Sequence, residues 1–165
     1  MIRAATSHDC ANIALLGLCV WIDTYATDGI KTAYTRHVLD TFTEHRYQAL
    51  LNDPHYHLLV SEQEGILQGY VLINLASHYQ HPDNGFEIDT LYVDKRHAGL
   101  GIGRQLLEAV QGRFGDRYWL YTWTQNAANG FYQHLGLKPC GQIDFEFDGV
   151  TITNTVYLSP GSQSA

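Results

Sequence analysis

Three glycines alternate at 99, 101 and 103 in the run Arg96–Val110, RHAGLGIGRQLLEAV. Apolar residues at helical spacing, Ile102, Leu106, Leu107 and Val110, start among them. Such glycines cost backbone entropy but let another molecule approach the main chain closely. A glycine loop opening a helix suits an anion, because the first helical N–H groups lack internal partners and the helix dipole adds positive potential. Neither common nucleotide pattern is present. G-x-G-x-x-G would need glycine where Arg104 or Leu106 stands, and no lysine follows as a G-x-x-x-x-G-K-[ST] loop requires. Two carboxylates, Glu87 and Asp89, precede the loop on an otherwise apolar segment. They share parity with Leu91 and Val93, so a strand there turns all four to one face. Carboxylates so placed suit proton transfer. The pairs His55/His57 and His78/His81 lack a third ligand in register, so no metal site is expected. No HExxH, GxSxG or Cys–His nucleophile pattern occurs.

The surrounding periodicities predict the elements that hold these residues. Ile2–Ala5 reads as a strand, and Thr6-x-x-Asp9 resembles a capping box for a helix to about Thr24. Ile30, Tyr34, Val38 and Phe42 mark one face of a second helix, and Thr41-x-x-Glu44 caps a short one carrying Tyr47, Leu50 and Leu51. Strands follow at Leu58–Val60, Ile66–Leu75 and Phe86–Val93, then a helix over 101–113, a strand at Tyr118–Trp123 and a helix at Asn126–Leu135. Gln142–Phe147 and Val150–Leu158 form a hairpin about Asp148-Gly149. The order, roughly β-α-α-β-β-β-α-β-α-β-β, implies an α/β (α+β mixed) fold. Its centre is a mixed, mostly antiparallel twisted sheet of about seven strands flanked by about four helices. Residues 1–158 read as one domain and 159–165, SPGSQSA, as a loose tail.

The chain has 165 residues, 45% hydrophobic and 16% charged, a globular composition. Its formal net charge of −7 opposes a sequence-independent grip on nucleic acid. Three cysteines, Cys10, Cys19 and Cys140, with no CxxC, predict buried reduced thiols in a cytoplasmic protein. The apolar run Ile13–Ile22 has the size of a signal h-region. Asp9 before it, a barely basic start and no A-x-A site after it favour a buried first helix, and it is too short to span a bilayer.

The run Glu87–Val93, then Asp94-Lys-Arg-His97, Ala-Gly-Leu-Gly-Ile-Gly103 and Arg-Gln-Leu-Leu107 resembles the central motif of the GCN5-related N-acetyltransferases, a strand ending L-Y-V followed by [QR]-x-x-G-x-[GA] entering a helix. Asn126-Ala-Ala-Asn-Gly-Phe-Tyr132 and Gln-His-Leu-Gly136 are similar to that family's later N-x-x-A-x-x-F-Y-x-x-x-G-F helix. Element order agrees over about residues 2–158. The resemblance implies the acyl-CoA N-acyltransferase fold with acetyl-CoA as co-substrate. Backbone amides of Gly99, Leu100, Gly101, Ile102, Gly103 and Arg104 would cradle its pyrophosphate, and the Leu91–Tyr92–Val93 peptide groups would pair with its pantetheine like an added strand. The family's Gln/Arg falls on Ala98, so phosphate charge would have to come from Arg96 or Arg104. The family's Asn falls on Gln125, with Asn126 one place later.

The implied reaction moves an acetyl group to a primary amine of a small molecule or peptide by direct transfer in a ternary complex. An amine with pKa about 10.4 is protonated at pH 7, and stripping that proton costs roughly 4–5 kcal/mol, so a general base or a water chain to a carboxylate is needed. Glu87 is the first choice, with Asp89 or a water chain as alternatives. Tyr132 falls on the family tyrosine beside the sulfur, a general acid. Tyr25, Tyr34, Asp89 and Trp123, with Trp21 and Asp23, are acceptor-site candidates. A non-catalytic acyl-CoA-binding regulatory module, or an acyltransferase using another acyl-CoA, is the competing reading. An enzyme acting on charged tRNA is disfavoured by the net charge. No nucleic acid or membrane partner is expected, and the chain would act as a monomer or homodimer.

Overall fold

Local hydrogen bonds set where the first elements begin. In a computed structural model, which describes residues 1–161, Thr6 N donates to the Asp9 carboxylate at 2.7 Å. The box therefore forms as expected, but it closes a 3₁₀ turn at Ser7–Asp9. Helix α1 (Cys10–Tyr25) follows strand β1 (Ile2–Ala4) and that turn. Arg3 forks onto Asp9 through 2.7 and 2.9 Å bonds and also reaches Glu62, tying β1 and the turn to strand β2 (Tyr56–Gln63). The Arg3 guanidinium, outweighing burial, pulls the Asp9 carboxyl down to about 2.

Helix α2 (Thr32–Thr41) excludes Ile30, which stays 71% exposed. Lys31 is extended at the N-cap, so the helical face starts with Tyr34 and Val38. The cap of α3 (Glu44–Leu51) is Thr43, whose Oγ1 accepts from Arg46 N, and not the predicted Thr41, which ends α2. Strand β3 (Ile66–Asn74) leads to β4 (Phe86–Val93), and α4 (Ile102–Phe114) to β5 (Tyr118–Trp123). Helix α5 (Ala128–His134) begins two residues later than predicted because Asn126 Oδ1 caps Ala128 N at 2.9 Å. Strand β6 (Lys138–Phe147) pairs along its length with β7 (Val150–Leu158).

Among the described residues these seven strands form one mixed sheet in the order β1-β2-β3-β4-β5-β7-β6. The β1/β2, β5/β7 and β6/β7 pairs are antiparallel and β4/β5 is parallel. Among the described residues the five α-helices correspond to the five helical runs read along the sequence, with Phe42–Thr43 between α2 and α3.

Two compact units divide the chain, one of Met1–Ile73 with Asp89–Ala109, the other of Asn74–Ile88 with the chain from Val110 on. In the first, Cys10, Ile13 and Ala14 of α1, Tyr47 of α3, and Leu58, Val60, Tyr70 and Leu72 of β2 and β3 form a core. The Tyr47 and Tyr70 hydroxyls meet at 2.9 Å inside it, so neither buried oxygen is left unpaired. Helix α1 buries one face only, since Leu15 and Cys19 are exposed. In the second unit Phe86 packs on Phe114 and Tyr118 at 6.4 and 6.0 Å between ring centres. Ser159 does not begin a loose tail, because its Oγ accepts from Tyr118 N and donates to Asp116 O. The tail's last four residues, 162–165, lie outside the described residues.

Candidate active site

The chain leaves β4 through Asp94, whose carboxylate accepts from Arg96 N at 3.0 Å and pairs with the Arg96 guanidinium at 2.7 Å. Burial raises that carboxyl, but the Arg96 bonds outweigh it and hold it low. The capped turn Lys95–His97 then delivers Ala98 and the glycines. Gly99 and Gly101 have φ of 79° and 80°, a backbone that side chains resist. A Cβ at Gly99 would meet nothing within 4 Å, and one at Gly101 only Gln105 Nε2 at 3.9 Å. The space above this backbone is open, and the exposed Leu100 stands between the glycines. Gln105 N closes the first helical bond on Gly101 O at 3.0 Å, so the N–H groups of residues 102–104 have no carbonyl of the preceding turn. Ile102, Leu106, Leu107 and Val110 are all buried and fix this end of α4. Such a cradle fits a phosphate chemically. Arg96 and Arg104 bring less charge than expected, because Asp94 holds one and Glu108, at 3.2 Å, the other.

The two β4 carboxylates differ in surroundings. Glu87 is 7% exposed, whereas Asp89 is exposed and accepts from Thr90 Oγ1 at 2.8 Å. Glu87 stands in register with Trp119 across the parallel β4/β5 pair.

Tyr132, on α5, is buried, with ring centres of Phe131 and Tyr157 at 5.3 and 5.8 Å. The sequence reading missed Asn129. Its Nδ2 donates to the carbonyls of Trp123 and Asn126, and its Oδ1 accepts from Tyr157 Oη at 2.7 Å. One side chain thus ties the end of β5, the start of α5 and strand β7, and so orients the turn carrying Tyr132. The repeat Asn126-x-x-Asn129 was its only sequence signal. Asn126 is half-buried and Gln125 exposed.

The aromatic candidates separate. Trp21 centres lie 4.9 Å from Tyr25, 5.6 Å from Tyr34 and 4.7 Å from His37, so these rings cluster on one another. Burial raises the Tyr25 hydroxyl and lowers the His37 ring. Asp23 turns away from this cluster to Lys95, 3.5 Å distant, beside a cleft of about 440 Å³. In the other unit Trp123 shares its strand face with Trp119 and Tyr121.

The cysteine expectation is corrected, since Cys10 is buried but Cys19 and Cys140 are exposed. The His78/His81 pair serves the loop before β4, with His78 Nδ1 2.7 Å from Gly85 O and His81 Nδ1 accepting from Asp83 N. Among the described residues no group of three His, Cys, Asp or Glu is placed to hold a metal. No helix there is long and apolar enough to cross a membrane.

Comparison with known proteins finds the Acetyltransferase (GNAT) domain over residues 22–157. The spermine/spermidine N(1)-acetyltransferase of Bacillus subtilis (strain 168) is 26% identical over 97 residues, 54% of this chain. The match spans 64% of the length of that relative. The ribosomal-protein-alanine N-acetyltransferase from Brucella melitensis superposes with a TM-score of 0.71 at 23% identity, over 96% of this chain and 98% of that one. The yncA structure from Salmonella typhimurium with its cofactor acetyl-CoA does so at 0.65 and 22%, over 100% and 96%. These likenesses bear out the expected fold.

Proposed function

Because this chain belongs to the GNAT acetyltransferase family, we propose that it is an acetyl-CoA-dependent N-acetyltransferase. The acceptor is a primary amine of a small molecule or peptide, and transfer is direct in a ternary complex. The observation that carries this reading is the open, positive-φ backbone at Gly99 and Gly101 ahead of α4. Its N–H groups would hold the pyrophosphate, and the peptide groups of Leu91 and Val93 the pantetheine. Acetyl-CoA supplies the acetyl group as a thioester whose thiol, with pKa about 8.5, leaves readily. A carboxylate oxygen of Glu87 takes the amine proton, and Tyr132 Oη gives a proton to the departing sulfur. Burial of Glu87 supports its choice over the exposed Asp89. The enzyme is cytoplasmic in this reading.

Ala98 favours a second reading, a binding module without turnover, since no side chain there supplements the phosphate site. Calorimetric titration with acetyl-CoA, CoA and NAD, followed by thiol release with a panel of amines, separates the cases. Micromolar binding of acetyl-CoA, none of NAD, and amine-dependent thiol release are expected. Binding without release would leave the module, and no binding would remove both.

A further inference from the structure

Helix α5 has seven residues. Isolated helices shorter than about 12–15 residues are marginal in water, so contacts with the rest of the chain decide where α5 sits. Its ends are closed locally. Asn126 caps Ala128, and past the last turn Gly136 takes a φ of 89° while Leu137 N donates to Tyr132 O at 3.1 Å. These bonds shape the helix but do not seat it on the sheet. Two of its side chains do. Asn129 Oδ1 accepts from Tyr157 Oη at 2.7 Å, and Gln133 Nε2 donates to that same oxygen at 3.3 Å. Asn129 and Gln133 stand four residues apart and so share one face of the helix. One hydroxyl of β7 thus holds α5 at two successive turns.

The anchor itself is rigid. Tyr157 is 1% exposed on the strand between β5 and β6, in register with Leu120 and Pro139. The direction of each bond is fixed as well. Asn129 Nδ2 spends its hydrogens on the carbonyls of Trp123 and Asn126, which turns Oδ1 to Tyr157 as an acceptor. Tyr157 then gives its single hydrogen to Asn129 and keeps its lone pairs for Gln133. Tyr132 leaves the helix beside this face, about 60° round the axis from Asn129 and about 100° from Gln133. Its ring centre is 5.8 Å from that of Tyr157. A slide or roll of α5 over β7 therefore carries the Tyr132 hydroxyl with it.

We infer that the Tyr157 hydroxyl is a positioning group for the reaction: bonded to Asn129 and Gln133, it sets α5 on β7 and so aims Tyr132 at the departing sulfur. The inference rests on the proposed role of Tyr132 as general acid. Tyr157 touches no reacting atom in this scheme. A misplacement of about 1 Å can cost about 10²-fold in rate. The loss on removing a positioning group is nevertheless bounded by what the group it positions contributes.

The test is a double-mutant cycle on Tyr157→Phe and Tyr132→Phe with acetyl-CoA and n-propylamine, a plain primary amine. It reads kcat, KM for the amine, and acetyl-CoA Kd by calorimetry. Tyr157→Phe keeps the buried ring and removes only its oxygen. It is expected to lower kcat about 3- to 30-fold, with KM and Kd within about twofold. In the Tyr132→Phe background the same change should move kcat by less than about twofold. An unchanged kcat, or an equal loss in both backgrounds, overturns the positioning role, since a merely loosened fold slows the enzyme with or without the Tyr132 hydroxyl. A loss confined to KM or Kd overturns it too. NMR of isotope-labelled tyrosine rings reads the position of Tyr132 without turnover, its signal being assigned by its absence in Tyr132→Phe. That signal is expected to shift in Tyr157→Phe, and an unshifted signal overturns the role. If Tyr132→Phe alone leaves kcat unchanged, the general-acid reading falls, and a shifted ring keeps the hold of Tyr157 on α5. If propylamine is not acetylated, the ring signal alone decides in the same way. Should Tyr157→Phe not fold, Gln133→Ala, at an exposed position, takes its place in the cycle with a loss of about threefold expected.

Discussion

Tyr132 is held by packing between Phe131 and Tyr157, and Asn129 fixes the turn from which its helix starts. A hydroxyl so positioned costs little to aim. Because the thiolate is already a fair leaving group, Tyr132→Phe is expected to lower kcat about 10- to 100-fold with acetyl-CoA affinity kept. An unchanged kcat in steady-state assays would take Tyr132 out of the mechanism. Glu87 bears the larger burden, since the amine proton is the harder one to remove. Glu87→Gln should lower kcat/KM by about 10²-fold and abolish the acid limb of its pH profile, where the carboxylate protonates. A variant keeping rate and profile would shift the role to Asp89 or a water chain.

Among the elements, the β4–loop–α4 passage carries the function. Its glycines are a sequence signal, but only the backbone angles say which face the space, with positive φ at Gly99 and Gly101 and not at Gly103. Gly101→Ala meets almost nothing sterically, so its structural cost is backbone strain of about 1–2 kcal/mol. That corresponds to a loss of about 2–8 °C in Tm. The added methyl would occupy the open space above the backbone proposed to hold pyrophosphate, so acetyl-CoA affinity should fall at least about tenfold by calorimetry. Full affinity in a folded variant would place the pyrophosphate elsewhere. The β4 carboxylates show the limit of periodicity. Parity predicts a shared face for Glu87 and Asp89, yet one is buried and the other exposed, because burial depends on what covers each end of the strand.

On the scale of the whole molecule, the net charge of −7 sets the long-range field. A polyanion gains affinity by releasing counterions to lysine and arginine, and here 10 of these face 17 acids. Filter binding with tRNA at about 50 and 200 mM salt should detect no retention at either. Salt-sensitive retention would reveal a local basic patch and reopen a nucleic-acid substrate.

The order of strands and helices, the capped turn at Thr6, the Asp148-Gly149 hairpin and the glycine loop were legible in the sequence because each rests on local periodicity or turn chemistry. The resemblance to the family rested on two motifs of the same local kind. Contacts between residues far apart in the chain were not legible. Asn129 meeting Tyr157, Arg3 holding Glu62, and Tyr79 lying on Trp119 join residues 28, 59 and 40 positions apart. Periodicity names a buried face but not the strand or ring that it meets. That choice belongs to sheet order and register, which put Glu87 beside Trp119 and left Tyr121 and Phe145 exposed beyond it.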